Sequence, residues 1–255
     1  VATCSDFIIG SYISSDRNDV HTLIPFMEQL RKNYAGRNIG SVVVDSGYES
    51  EENYCWFEAH PETELYVKPS NHEAAKHKKY RTDISRRENM AYNAQADTYT
   101  CANGKLLQKT REKKTHTASG LEIATSVYEC NECDGCPLKE KCIRACGSKK
   151  PLKERHKVIY VSKRFARQRQ AMEAKISSPK GCLLRVNRSI QAEGNFAYVK
   201  QDLDFRRFLL RGNMKVAAEW LLFSPALNIL HLHHKIQNRR LGSGLKIPSS
   251  FPAGL

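Results

Sequence analysis

The run Val42-Val43-Val44-Asp45-Ser46-Gly47-Tyr48 constrains the fold more than any other stretch of the chain. Three consecutive β-branched residues predict a buried strand. The aspartate and glycine that follow predict where that strand ends and turns. A carboxylate at the end of a strand in an open α/β sheet sits at the lip of the crevice where such sheets bind ligands. Its oxygens suit Mg²⁺ or Mn²⁺. The same residue also has a purely local use, because aspartate is a common turn former.

The flanking sequence extends the α/β pattern. Phe7–Gly10 and Ser11–Ser14 are expected to form a strand pair, with Ser5-Asp6 as a turn. Val20, Leu23, Ile24, Met27 and Leu30 recur at helical spacing behind a start signal at Asp16 to Asp19. A second helix is expected near Ser50, with Glu51 and Glu52 in its first turn, and a strand at Leu65-Tyr66-Val67. Residues 71–128 are polar and basic with little periodicity. Helix is expected again at 163–176, near Asn187 and over 214–234, where Pro225 should kink or split it. The expected division is 1–70 and 181–237 as one α/β core, 71–180 as a basic Cys-rich insert, and 238–255 as a disordered tail.

The charge narrows the partner. A net charge of +14 and a pI near 9.4 point to nucleic acid. No apolar run is long enough to cross a membrane. Nor is there a secretory leader, so a reducing cytoplasm is the expected location. The chain opens at Val1 without a methionine and reads as part of something longer. Residues 147–170 concentrate basic side chains, among them Lys149, Lys150, Lys153, Arg155, Lys163, Arg164 and Arg167. These are the expected contacts to the phosphate backbone of DNA, the alternative being a solvated helix face.

Five of nine cysteines fall within seventeen residues, at 130, 133, 136, 142 and 146. In a reducing compartment such clustering favours metal over disulfides. Cys130, Cys133, Cys136 and Cys142 could hold a structural zinc ion, with Cys101 as an alternative ligand. An iron–sulfur cluster and reduced thiols without metal are the other readings.

A second acid lies far along the chain. Glu193 and Lys200 are seven residues apart, which places them on one face of a regular helix. Arg188, five residues before Glu193, falls about 140° round from it at 3.6 residues per turn. It can flank the site but not stack on the same stripe. Glu193 could complete a metal pair with Asp45, while Lys200 and Arg188 meet phosphates.

Asp45-Ser46-Gly47-Tyr48 with Glu51, Arg86-Arg87-Glu88-Asn89-Met90, the cysteine cluster and Arg188-Ser189-Ile190-Gln191-Ala192-Glu193 together resemble the DDE transposase domain of bacterial insertion sequences. The resemblance is to the branch with a Cys-rich insert between its second and third acids, and it spans about residues 1–240. It implies a ribonuclease-H-like fold with a mixed sheet and flanking helices. It also implies Mg²⁺- or Mn²⁺-dependent cleavage and transfer of DNA strands, and a homo-oligomer in the full-length protein. Carried over, Asp45 matches the second acid, Glu193 the third, and Lys200 the basic residue seven positions later. Related branches carry an arginine four residues before the glutamate. Ser189 stands there in this chain, and the arginine is one residue earlier. The first acid of the family belongs on a strand, whereas Asp6 sits in a turn and Asp16 and Asp19 open a helix. The first acid is therefore expected outside this chain. The rival readings are a non-catalytic, zinc-bearing nucleic-acid-binding protein derived from a transposase, and a hydrolytic nuclease of the same fold.

Overall fold

The computed structural model of the chain describes residues 1–144 and 150–242. Cys146, Lys149 and most of the tail expected to be disordered, residues 243–255, lie outside the described residues. The elements in chain order are β1 (Ala2–Cys4), β2 (Phe7–Gly10), α1 (Leu23–Asn33), β3 (Ser41–Val44), α2 (Glu51–Glu58), β4 (Glu64–Val67), α3 (Lys78–Arg81), β5 (Ala91–Asn93), β6 (Thr98–Thr100), β7 (Leu106–His116), β8 (Glu122–Cys130), α4 (Lys139–Cys142), β9 (Lys157–Val161), α5 (Lys163–Ser177), α6 (Pro179–Arg188), α7 (Gly194–Ala197) and α8 (Asn213–Gln237). The fold is mixed α/β. It divides into one unit made of residues 1–69 and 171–255, and a second made of residues 70–170. No helix among the described residues is long and apolar enough to cross a membrane.

In the first unit, β1 and β2 form an antiparallel hairpin about Ser5-Asp6, both at positive φ. The strand expected at Ser11–Ser14 does not form, and β2 pairs with the residues before the turn instead. The outer edge of β2 is met by a side chain: Asn228 of α8 accepts from the Ile8 amide and donates to the Ile8 carbonyl, both at 2.8 Å. Ile8, Val199, Trp220 and Leu227 form a core cluster beneath this hairpin. β3, α2 and β4 form a β-α-β unit with the strands parallel and in register from Ser41–Glu64 to Val44–Val67. The three valines of β3, whose one strand partner among the described residues is β4, are half-buried rather than buried; Leu65, Tyr66 and Val67 of β4 are the buried ones. Ser50 caps α2 by accepting from the Asn53 amide at 3.0 Å. α8 runs unbroken through Pro225, so the missing amide costs one hydrogen bond without splitting the helix.

The second unit holds a five-stranded antiparallel sheet in the order β5-β6-β7-β8-β9. This sheet is absent from the sequence expectations, and the reason is visible in β7. β6 pairs only with Leu106 to Gln108 of β7, and β9 only with Ser126 to Cys130 of β8. Beyond those limits β7 and β8 continue as a two-stranded ribbon, and every β7 residue except Leu107 is exposed. A strand solvated on both faces shows no alternation. The core under the paired part is Met90, Leu107, Tyr128, Cys130, Ile159 and Val161. The Arg86–Met90 motif has a local structural use here. Arg86 lies 4.0 Å from the centre of the Tyr80 ring, Asn89 donates to the carbonyls of Tyr80 and Asp83, and Met90 enters the core.

Candidate active site

Asp45 follows the last residue of β3 and opens a short 3-10 turn, Ser46–Tyr48. Its Oδ1 accepts from the Ser46 amide at 2.7 Å, so the local use of this aspartate is real. Its Oδ2 faces elsewhere, to Arg188 Nη2 at 3.4 Å. Glu193 is arranged in the same way. Its Oε2 accepts from the Ser189 hydroxyl at 2.8 Å, and its Oε1 lies 3.2 Å from Arg188 Nη1. Each carboxylate thus has one oxygen fixed by a neighbouring donor and the other turned to a single guanidinium. The two facing oxygens are at most about 9 Å apart, because they touch the two ends of one planar fork. Both carboxylates are more than half exposed, so water screens these contacts.

Arg188 reaches Glu193 because the helix is not regular there. Ser189–Glu193 is a π turn, α7 follows, and Tyr198–Asp202 is a second π turn. A π turn closes five residues on rather than four, so Arg188 and Glu193 become neighbours. The 140° offset expected for a regular helix does not hold. The same irregularity keeps Asn187, Gln191, Asn195 and Val199 buried at a constant spacing of four, which leaves Glu193 on the exposed side. The shared face expected for Glu193 and Lys200 assumed an unbroken α-helix. In the structure Lys200 lies in the second π turn, exposed, with its ammonium 5.9 Å from the Phe196 ring centre.

The sequence context of Asp19 is that of a helix opener rather than a site acid. The structure places its carboxylate against Gly47, where a side-chain Cβ would meet Asp19 Oδ2 at 3.1 Å. Asn53 holds the two turns together, donating to the carbonyls of Val20 at 3.1 Å and Tyr48 at 2.7 Å. Burial pushes the Tyr48 phenol above its ordinary value, and the Asp19 and Asp45 carboxylates push it further. No spacing rule links Asp19 to Gly47, so the sequence carried no signal for this approach. Of the other two aspartates, Asp6 pairs with Lys235 at 3.2 Å and Asp16 accepts from Ser14.

Several of the expected DNA contacts already hold partners, and others are known only by their exposure. Lys150, Lys153 and Arg167 are exposed. Lys163 donates to Asp97 at 2.7 Å, Arg164 to the Glu122 carbonyl at 2.7 Å, and Arg155 to the Arg144 carbonyl at 2.6 Å. The ribbon also carries Lys109, Arg111, Lys113 and Lys114; Lys109 pairs with Glu112 at 2.9 Å, Arg111 with Glu129 at 2.9 Å and Lys114 with Glu122 at 3.0 Å.

Cys101 and Cys133 pack against the core that contains Cys130. Burial pushes the Cys130 thiol up to about 11, and burial also raises that of Cys142. The Cys133 thiol points to the Cys130 carbonyl at 3.4 Å and receives the Lys157 amide at 3.3 Å. Among the described residues no group of three or more His, Cys, Asp or Glu is placed to hold a metal ion, so the zinc expectation for Cys130, Cys133, Cys136, Cys142 and Cys101 finds no coordination geometry.

Neither a curated protein nor a solved structure matches the chain. The family model described as Transposase DDE domain matches residues 100–233, just over half of the chain. The matched stretch contains Glu193, Lys200 and the cysteine cluster, and Asp45 lies before it. The chain belongs to the transposase DDE domain family.

Proposed function

We propose that this chain supplies part of the catalytic site of an enzyme that cleaves DNA strands and transfers them in a divalent-metal-dependent reaction, with Asp45 and Glu193 as two of the acids that hold the metal. The observation that carries this reading is the convergence of one oxygen from each carboxylate on a single cation. Hard oxygen donors in that arrangement fit Mg²⁺ or Mn²⁺. When bound, the metal would supply activation of the attacking hydroxyl and stabilisation of the leaving oxygen. Asp45, mounted at the end of β3, and Glu193, mounted on a π turn, would hold fixed positions from opposite ends of the first unit's sequence. Arg188 and Lys200 would bind phosphate oxygens. The β3-α2-β4 unit with the later helix that carries Glu193 is the part of the fold that favours a ribonuclease-H-like core. The 70–170 unit would bind the DNA backbone outside the reacting phosphate.

Two acids hold a two-metal site poorly, so the 255 residues alone are expected to bind metal while cleaving DNA slowly. The test therefore reads the position of the metal. Fe²⁺ with ascorbate, substituting for Mg²⁺, cuts the polypeptide backbone next to where it binds. Cuts near residues 45 and 193, suppressed by excess Mg²⁺ and lost in Asp45→Asn and Glu193→Gln, are expected. Cuts elsewhere, or cuts that survive both substitutions, would overturn the assignment.

A further inference from the structure

We propose that Arg188 is an internal counter-cation that bridges Asp45 and Glu193 and must leave for a divalent metal to bind between them. The inference rests on the metal reading above and adds a control step to it. Arg188 Nη2 takes Asp45 Oδ2 and Nη1 takes Glu193 Oε1, so one side chain spans both acids. The other oxygen of each acid is held by a donor of its own, the Ser46 amide and the Ser189 hydroxyl. Releasing Arg188 therefore leaves both carboxylates anchored. At 3.2 and 3.4 Å the guanidinium contacts are longer than the 2.7–2.9 Å of strong charge-assisted pairs. Their exposure weakens them further, so the bridge is made to be exchanged.

Geometry makes the two occupants exclusive. Mg²⁺ draws its oxygens in to about 2.0–2.1 Å, so an ion bridging the two acids would take the space between them that the guanidinium now fills. A divalent ion beside an arginine also adds like-charge repulsion. The π turn is part of the device, since it alone brings a residue five positions before Glu193 onto its carboxylate. Once displaced, the guanidinium stands next to the metal with its fork free for a phosphate. Metal loading and substrate recognition would then be linked through one side chain.

The test measures Mn²⁺ binding to the full 255-residue chain by the loss of the free-ion EPR signal. Wild type is compared with Arg188→Gln, Arg188→Lys, Asp45→Asn and Glu193→Gln, each checked by circular dichroism. Removing two exposed ion pairs from competition should tighten Mn²⁺ binding about 10-fold in Arg188→Gln. Arg188→Lys, which keeps the charge, should stay near wild type. If Arg188→Gln is misfolded, Arg188→Ala replaces it in the comparison. Binding that depends on Asp45 and Glu193 but is equal or weaker in the uncharged variant overturns the counter-cation role and leaves the metal site standing. The role is also overturned if Arg188→Lys binds as tightly as Arg188→Gln. No Mn²⁺ binding in any variant, or binding indifferent to Asp45 and Glu193, overturns the metal site and the inference with it.

Discussion

Asp97 shows how much a single side chain can organise in the second unit. It accepts from Lys163 at 2.7 Å, Tyr128 at 2.6 Å and Tyr92 at 2.8 Å. The Lys163 ammonium first, and then the Tyr128 hydroxyl, hold its carboxyl at about 2, below the ordinary 3.8. A carboxyl lowered by folding stabilises the native state fully above its unfolded value. That contribution is lost as the pH falls from about 4 to about 2. Asp97→Asn should therefore cost about 1 kcal/mol at neutral pH, a figure reduced for its partial exposure. The deficit against wild type should close as the pH approaches 2, read by urea denaturation at each pH. Asparagine tolerates the positive φ of this position, so backbone strain does not confuse the result. At this scale the candidate site was half legible. Asp45 and Glu193 could be picked out by residue type and context, but the contact between Arg188 and Glu193 could not. It depends on a π turn, and no periodicity rule applied at 3.6 residues per turn anticipates one.

Elements whose burial follows a simple period were readable, and those whose burial does not were missed. α1 and the β3-α2-β4 unit lie close to where apolar spacing and caps put them. The five-stranded sheet was invisible because its longest strand is solvated and its shortest strands have three residues. The end of α5 at Ser177 falls beside the expected 176, but the immediate start of α6 was missed, although Ser178 caps it and Pro179 opens it. That junction depends on Gly181. A Cβ there would meet the Lys175 carbonyl oxygen at 2.3 Å and the Ile176 Cα at 2.7 Å, both of them backbone. Backbone cannot swing aside as a side-chain tip does. Gly181→Ala should therefore destabilise the chain by about 2–3 kcal/mol, measured as a lower urea midpoint with an unchanged slope.

At the scale of the whole molecule the charge is divided unevenly. Residues 70–170 carry 23 lysines and arginines against 11 acids, a net +12 of the chain's +14. Binding of non-specific duplex DNA should accordingly fall steeply with salt. Lys153→Ala and Arg167→Ala should each reduce the slope of log K against log salt by about 1, as expected for a lost phosphate contact. Lys163→Ala should leave the slope nearly unchanged and lower the melting temperature instead, because its charge is committed to Asp97. Fluorescence anisotropy across a salt series separates the two behaviours. The two ends of this basic unit meet: Arg169 donates to the Ser70 hydroxyl at 3.4 Å, 99 residues away in sequence. A segment that leaves and rejoins the chain at adjacent points closes its own loop, so a short bridge could replace it with little change in chain entropy. The unit holding most of the positive charge is in that sense a cassette, which a lineage could acquire, exchange or discard in one step while the acids outside it keep their places.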